Sequence, residues 1–330
     1  MPKLPVSNTY IIPAHPGTEN GENLKLVVEQ YSFPAVTAKN ARTVNVVWSH
    51  ANGFHKETLH PLMRRNIKQL RESYGDVNFE FYAWDGRNQG DSGRLNVDHL
   101  PLTFSWQDHA SDIHQLIEEL KLKHSHTQLI GIGHSVGATS TILCEFRYPG
   151  TFDAIIAIEP IFIVDVAPKR LREGMPMLAS RKRRDQWDSF EAAYTFFSKR
   201  PFWKTWDPEA LELFVKYGLY ETEDGKVRLK CQPEQEYAVY WYDCHSQIVA
   251  FRCLGAIRIP VHIVFGDESH IFPLSELEGI DKTAPTVDIS VVSGGHIVPL
   301  EKPDLIASDI LPFFQKVLSD GSEQRLQAKL

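Results

Sequence analysis

A serine can act as a nucleophile only where the chain lifts its hydroxyl clear of the backbone and sets donors around it. Gly133-His134-Ser135-Val136-Gly137 has the composition for this. The segment follows an apolar run at Gln128–Ile132 and precedes a helical pattern at Gly137–Phe146. A strand that turns sharply into a helix presents the turn residue above the sheet edge. The turn is strained, and the flanking glycines remove the side chains that would clash there. The helix aims its first amides at the same spot, so Val136 N–H can donate to an oxyanion beside Ser135. The implied chemistry is acyl transfer through a serine adduct, which needs a base to take the hydroxyl proton. The bland alternative is a tight structural turn.

The elements that must hold this turn are legible as apolar runs. Strands are expected at Leu24–Phe33, Thr43–Ser49, Asn78–Trp84, Gln128–Ile132, Ala154–Ile158, Val261–Phe265 and Val287–Val292. Several are continuous rather than alternating, as strands buried on both faces should be. Helical patterns lie near Leu59–Tyr74, Ser105–Lys123, Gly137–Phe146 and Pro303–Leu318. Ser105 and Asp108 have the spacing of a capping box, and Ala110, Ile113, Leu116, Ile117 and Leu120 form a stripe. This alternation predicts an α/β fold with a mostly parallel sheet flanked by helices. It breaks between about Pro160 and Arg258, where an aromatic, largely helical stretch reads as a cap. The expected organisation is a core of residues 1–160 and 259–318, a helical cap of 161–258 and a flexible polar tail of 319–330.

Composition narrows the field. The 330 residues, 42% hydrophobic and 23% charged, suffice for a buried core and argue against general disorder. A net charge of −7 speaks against a nucleic-acid partner. No stretch approaches the roughly 20 apolar residues of a transmembrane segment, and the N-terminus lacks a secretory pattern. Cys144, Cys231, Cys244 and Cys253 form no CxxC pair and read as reduced thiols. No Cys/His cluster has ligand spacing, so no metal or other cofactor is expected. The last residues, Ala328-Lys329-Leu330, differ by one small residue from a peroxisomal address, which makes an import receptor a partner and the peroxisome the expected location, with the cytoplasm as alternative.

With the elbow in this context, the chain resembles the α/β-hydrolase superfamily along nearly its whole length. Ser49–Phe54, SHANGF, looks like the oxyanion-hole loop, with Asn52 N–H as second donor beside Val136. Asp85–Ser92, DGRNQGDS, resembles the loop that follows the next strand in such proteins. Of 14 histidines, His296 in VVSGGHIVPL has the order and loop of the family's base. His50, His55, His134 and His270 lie near the site by topology. Many relatives carry the acid after the seventh strand, but counting from Gly266 puts Ser269 at that position. Glu159 closes the sixth strand over the same crevice, where some relatives keep their acid, and it is favoured; Asp267 is the alternative. A serine nucleophile sets the chain apart from relatives with an aspartate there.

Within the superfamily the chain is similar to fungal peroxisomal hydrolases, among them enzymes of mycophenolic-acid and host-selective toxin biosynthesis and a yeast peroxisomal lipase. The shared pieces are GIGHS-x-G, the segment holding Trp106, Asp108, His109, Ala110 and Asp112, the Glu159-Pro160 step and the C-terminal tripeptide. The resemblance implies hydrolysis of an acyl ester or thioester, acyl-CoA first. In the acidic chain, the basic run through Arg181, Arg183 and Arg184 could receive coenzyme A phosphates; a solvated helix face is the plainer reading. An acyltransferase on the same residues, a lipase or lactonase, and a non-catalytic binding protein are the competing functions.

Overall fold

The computed structural model describes residues 3–38, 41–125, 127–164, 180–243 and 245–327, of which 281–283 and 320–327 in backbone only. The core begins with β1 (Asn8–Pro13), β2 (Lys25–Phe33), β3 (Arg42–Ser49), α1 (His60–Ser73), β4 (Val77–Trp84), α2 (Gly90–Asn96) and α3 (Trp106–Glu119). It continues through β5 (Thr127–His134), α4 (Val136–Arg147) and β6 (Ala154–Ile158). An insertion between β6 and β10 follows: β7 (Gln186–Trp187), α5 (Phe190–Ser198), α6 (Pro201–Lys204), α7 (Pro208–Gly218), β8 (Leu219–Glu221), β9 (Val227–Leu229), α8 (Pro233–Trp241) and α9 (His245–Cys253). The chain returns to the sheet with β10 (Val261–Gly266), α10 (Leu277–Thr283), β11 (Val287–Val292), α11 (Val298–Glu301) and α12 (Pro303–Gln327).

Eight strands form one sheet in the order β1-β2-β4-β3-β5-β6-β10-β11. Only the β1–β2 and β2–β4 pairs are antiparallel; β4, β3, β5, β6, β10 and β11 run parallel. Side chains alternate between the faces, as the strand period requires. Val44, Val46, Trp48, Ile130, Ile132, Ile156 and Ile158 pack in one buried cluster with Leu62, Met63 and Ile67 of α1 and Ile306, Ile310 and Phe314 of α12. Val47, Leu129, Ile155 and Ala157 face the other way, onto Ala110, Ile113 and Leu116 of α3 and Ile142 and Leu143 of α4. Each such side chain contributes roughly 1.5–3 kcal/mol by leaving water.

Several expectations need correction. β1 was not anticipated: only Ile12 of its six residues is buried, so it has no apolar run to read. Half of the expected capping box forms. Ser105 Oγ accepts from Asp108 N–H at 3.3 Å, but the Asp108 carboxylate reaches across to Glu19 N–H at 2.9 Å instead of back to its own helix. The polar tail expected from residue 319 is helical to Gln327, where Glu323, Gln324, Arg325 and Leu326 are all good helix formers; Ala328, Lys329 and Leu330 lie outside the described residues. The insertion carries a small antiparallel sheet, β7-β9-β8, besides its helices. Its aromatic residues make a third buried cluster, Trp187 and Phe197 among them, in which Trp203, Trp206 and Phe214 meet the Phe54 ring of the loop after β3 edge-on. No helix among the described residues is long and apolar enough to cross a membrane.

Candidate active site

The site is built where parallel strands end. Ser135 follows β5 directly and holds φ 56° and ψ −120°, a conformation few non-glycine residues adopt. Such strain costs about 1–3 kcal/mol and persists only where the surroundings enforce it. Here Ser135 N–H donates to Ile158 O at 3.0 Å, and α4 starts at the next residue. Neither neighbouring glycine can be replaced. A Cβ on Gly133 would lie 2.4 Å from Ala138 N, and one on Gly137 would lie 2.4 Å from Ser49 O and 2.7 Å from His50 O. The second contact brings the loop after β3 against the first turn of α4.

Glu159 repeats the device one strand over. It follows β6 with φ 51°, and its N–H donates to Val264 O at 2.8 Å. Its carboxylate is buried and has a donor on each oxygen. Oε1 accepts from Gly266 N–H at 2.5 Å, and Oε2 accepts from Ser269 Oγ at 2.5 Å and from His296 Nδ1 at 2.9 Å. Since a carboxylate only accepts, Nδ1 carries the imidazole proton. His296 Nε2 is therefore the acceptor for Ser135 Oγ, 3.0 Å away. Burial raises the affinity of Glu159 for a proton, but the His296 bond and charge, then Ser269 and Gly266 N–H, outweigh it and hold the carboxyl below its usual range.

The structure thus brings Ser135, His296 and Glu159 together in one hydrogen-bonded chain. Asp267 stands apart: its Oδ1 accepts from Gly294 N–H at 2.9 Å, tying the loop after β10 to the one after β11. The other histidines near the elbow have different partners. His134 Nε2–H donates to the His296 carbonyl at 2.8 Å, and burial, helped by His296, holds its pKa at about 3, so it is neutral. His50 donates from Nδ1 to Ala51 O and accepts at Nε2 from Gly86 N–H. His55 pairs with Glu57 at 2.8 Å. His270 is exposed.

Val136 N–H is the first amide of α4 and has no intrahelical partner by position. Asn52 lies in the loop that packs against it and is gripped through its side chain. Its Oδ1 accepts from Gln89 Nε2 at 2.8 Å, and its Nδ2 donates to Glu236 O of α8 at 2.9 Å. Gln89 Oε1 also accepts from Gly53 N–H at 2.9 Å. Gln89 and Ser269 are the site residues that the sequence did not assign. The signal for Ser269 was its place in the count from Gly266; Gln89 gave none.

The arginines of the basic run are engaged within the chain. Arg183 Nη1 pairs with Glu236 at 2.5 Å, and its guanidinium lies 5.5 Å from the Trp203 ring centre. Exposed Arg184 donates to Gln186 O at 2.7 Å, and exposed Arg181 lies 5.4 Å from the Tyr237 ring centre. Lys169, Arg170 and Arg172 fall outside the described residues.

An eight-stranded sheet with a strained serine at its edge and an imidazole and carboxylate arriving from later strand ends is the architecture of the alpha/beta hydrolases. The chain belongs to the Alpha/beta hydrolase family, whose profile matches residues 46–309. It is 26% identical over 296 residues to the peroxisomal membrane protein LPX1 of Saccharomyces cerevisiae, covering 83% of this chain and 75% of that one. The solved structure of that peroxisomal alpha-beta-hydrolase superposes with a TM-score of 0.79 at 22% identity, over 94% of this chain and 88% of that one, and shares its fold. The type I acyl-CoA thioesterase mpaH of Penicillium roqueforti is 26% identical over 198 residues, which span 59% of this chain but only 44% of the thioesterase. The abhydrolase domain-containing protein ACTT2-1 of Alternaria alternata is 30% identical over 229 residues, 57% of this chain and 83% of that protein.

Proposed function

We propose that the chain is a serine hydrolase that cleaves an acyl ester or thioester through an acyl-enzyme. The observation that carries this reading is the continuous relay from Ser135 Oγ to His296 Nε2 at 3.0 Å and from His296 Nδ1 to Glu159 Oε2 at 2.9 Å. Ser135 Oγ attacks the acyl carbon while its proton passes to His296 Nε2. The carbonyl oxygen becomes an oxyanion, held by the Val136 and Asn52 backbone amides. Collapse breaks the bond to the leaving group, which takes the proton from the imidazolium. Water then attacks the acyl-enzyme, His296 receives its proton and returns one to Ser135 Oγ, and the free acid departs. Glu159 keeps the imidazole in the Nδ1–H tautomer and stabilises the imidazolium.

Acyl-CoA is the favoured substrate, and the support for it is the name of the thioesterase relatives. Of the arginines, Arg183 is largely committed to Glu236, so contact with the phosphates would fall to exposed Arg181 and Arg184. We take residues 161–258 to act as the cap over the site, and the peroxisome, with a role in lipid or secondary metabolism there, as the setting in keeping with the relatives and the terminal tripeptide. Purified protein assayed on p-nitrophenyl esters and on an acyl-CoA panel tests the reading. Turnover that vanishes in Ser135→Ala is expected. Faster release of thiol from CoA esters than of phenol from short esters, weakened by Arg181→Glu with Arg184→Glu, is the outcome expected for CoA; equal rates would remove it.

A further inference from the structure

We propose that Ser269 is a positioning residue for this reaction: its hydroxyl fixes the Glu159 carboxylate against His296. The inference rests on the acyl-transfer reading. Glu159 is held from one direction only, the end of β10. Gly266 N–H secures Oε1 and the Ser269 hydroxyl secures Oε2, and Oε2 is also the oxygen that meets His296 Nδ1. Removing the hydroxyl leaves Gly266 N–H as the only donor to the carboxylate among the described residues besides the imidazole itself, so the carboxylate plane can turn about that single contact. Ser269 is itself oriented. Its N–H donates to Gly266 O at 3.1 Å and its Oγ accepts from Ile271 N–H at 3.4 Å, which leaves the hydroxyl proton for Glu159.

The other titratable groups nearby do not share this role: the Asp267 carboxylate accepts from Gly294 N–H, and His134 is neutral and bound to the His296 carbonyl.

The test uses the full chain, with p-nitrophenyl butyrate as substrate and thermal melts to establish that each variant is folded. Ser269→Ala lowers kcat by ~10-fold with KM unchanged, a loss of about 1.4 kcal/mol in the transition state, and Ser269→Thr restores most of it. Glu159→Gln is slower still, and adding Ser269→Ala to it lowers kcat little further, because Ser269 acts only through the carboxylate. A kcat for Ser269→Ala equal to that of the parent overturns the inference, as does a further ~10-fold loss when Ser269→Ala is added to Glu159→Gln. One further readout needs no turnover. The downfield proton resonance of His296 Nδ1–H shifts in Ser269→Ala and returns in Ser269→Thr. An unshifted resonance refutes the positioning role even if the parent is a hydrolase, and a parent that hydrolyses nothing while the resonance moves refutes the acyl-transfer reading and leaves the positioning of the imidazole standing.

Discussion

Two polar networks in this molecule use the same ingredients to opposite ends. One is the chain Ser135–His296–Glu159. The other surrounds Lys56, seven residues past the end of β3 and wholly buried. The Lys56 ammonium lies 2.9 Å from Asp85, 2.6 Å from Asp91, 3.2 Å from Glu57 and 3.8 Å from Glu29. Burial alone would strip its proton, but the carboxylates outweigh it and hold the lysine well above its ordinary range. Three of them, Glu29, Glu57 and Asp91, converge closely enough to grip a metal ion, and the ammonium supplies the cation there. The difference lies in where a proton can go. The Lys56 ammonium is saturated and itself shut off from solvent, and it ties β2, the loop after β3 and the Asp85–Asp91 turn into one body. In the other network the His296 side chain is 21% exposed, and its Nε2 faces a hydroxyl whose oxygen can bond elsewhere once it loses its proton. Satisfied charge holds loops; a carboxylate and imidazole left open at one end can do chemistry.

That contrast sets the order of expected effects. Ser135→Ala should reduce kcat by ~10⁴-fold or more with little change in melting temperature, which ester hydrolysis and a thermal melt measure together. Glu159→Gln should cost on the order of 10²–10⁴ in kcat, whereas Asp267→Asn should stay within a few-fold; the reverse ranking would move the acid to Asp267. Lys56→Met should do the opposite of Ser135→Ala, because buried Asp85 loses its ammonium and Glu29, Glu57 and Asp91 are left with Lys3 and Lys230. A loss of about 3–5 kcal/mol in unfolding free energy is expected, read by urea denaturation, and the network is not a structural anchor if the midpoint is unmoved.

Smaller effects sharpen the comparison. His60, beside the cage, accepts Leu4 N–H at Nδ1 and donates from Nε2 to Tyr31 Oη; burial lowers its pKa to about 3. An unfolded histidine takes up its proton near pH 6.5, the folded one only near 3. Between these values the unfolded state binds more protons. The contribution of His60 is thus complete above about pH 6.5 and drains away as pH falls toward 3. The same sign holds for His134. His60→Gln should flatten the fall of melting temperature between pH 6.5 and 4, and an unchanged slope would count against the assignment. Last, Gln89→Ala should lower kcat by ~3–10-fold through a loosened Asn52, less than the ~10² or more for a lost oxyanion donor.

The sequence revealed the parallel strands because both faces are buried, leaving continuous apolar runs such as Ala154–Ile158. Glu159 and Ser135 read as site candidates because each stands at the end of such a run. What stayed hidden depends on pairing across the fold. Lys56 looks like any loop lysine, and its four carboxylates come from positions 29, 57, 85 and 91. β7, β8 and β9 have two or three residues each, too few to display a period. The arginines read as a solvated helix face or, less plainly, a phosphate surface, yet Arg183 finds Glu236 some fifty residues on, and nothing local announces that partner.

The claim that Ser135 is a nucleophile driven by His296 has one direct measurement. The full chain is treated with a fluorophosphonate probe, and the modified peptide and its rate of appearance are followed by mass spectrometry. The account predicts a single adduct on Ser135, formed at least ~10²-fold more slowly in His296→Ala. An unlabelled Ser135, or labelling at the parent's rate without His296, would contradict it.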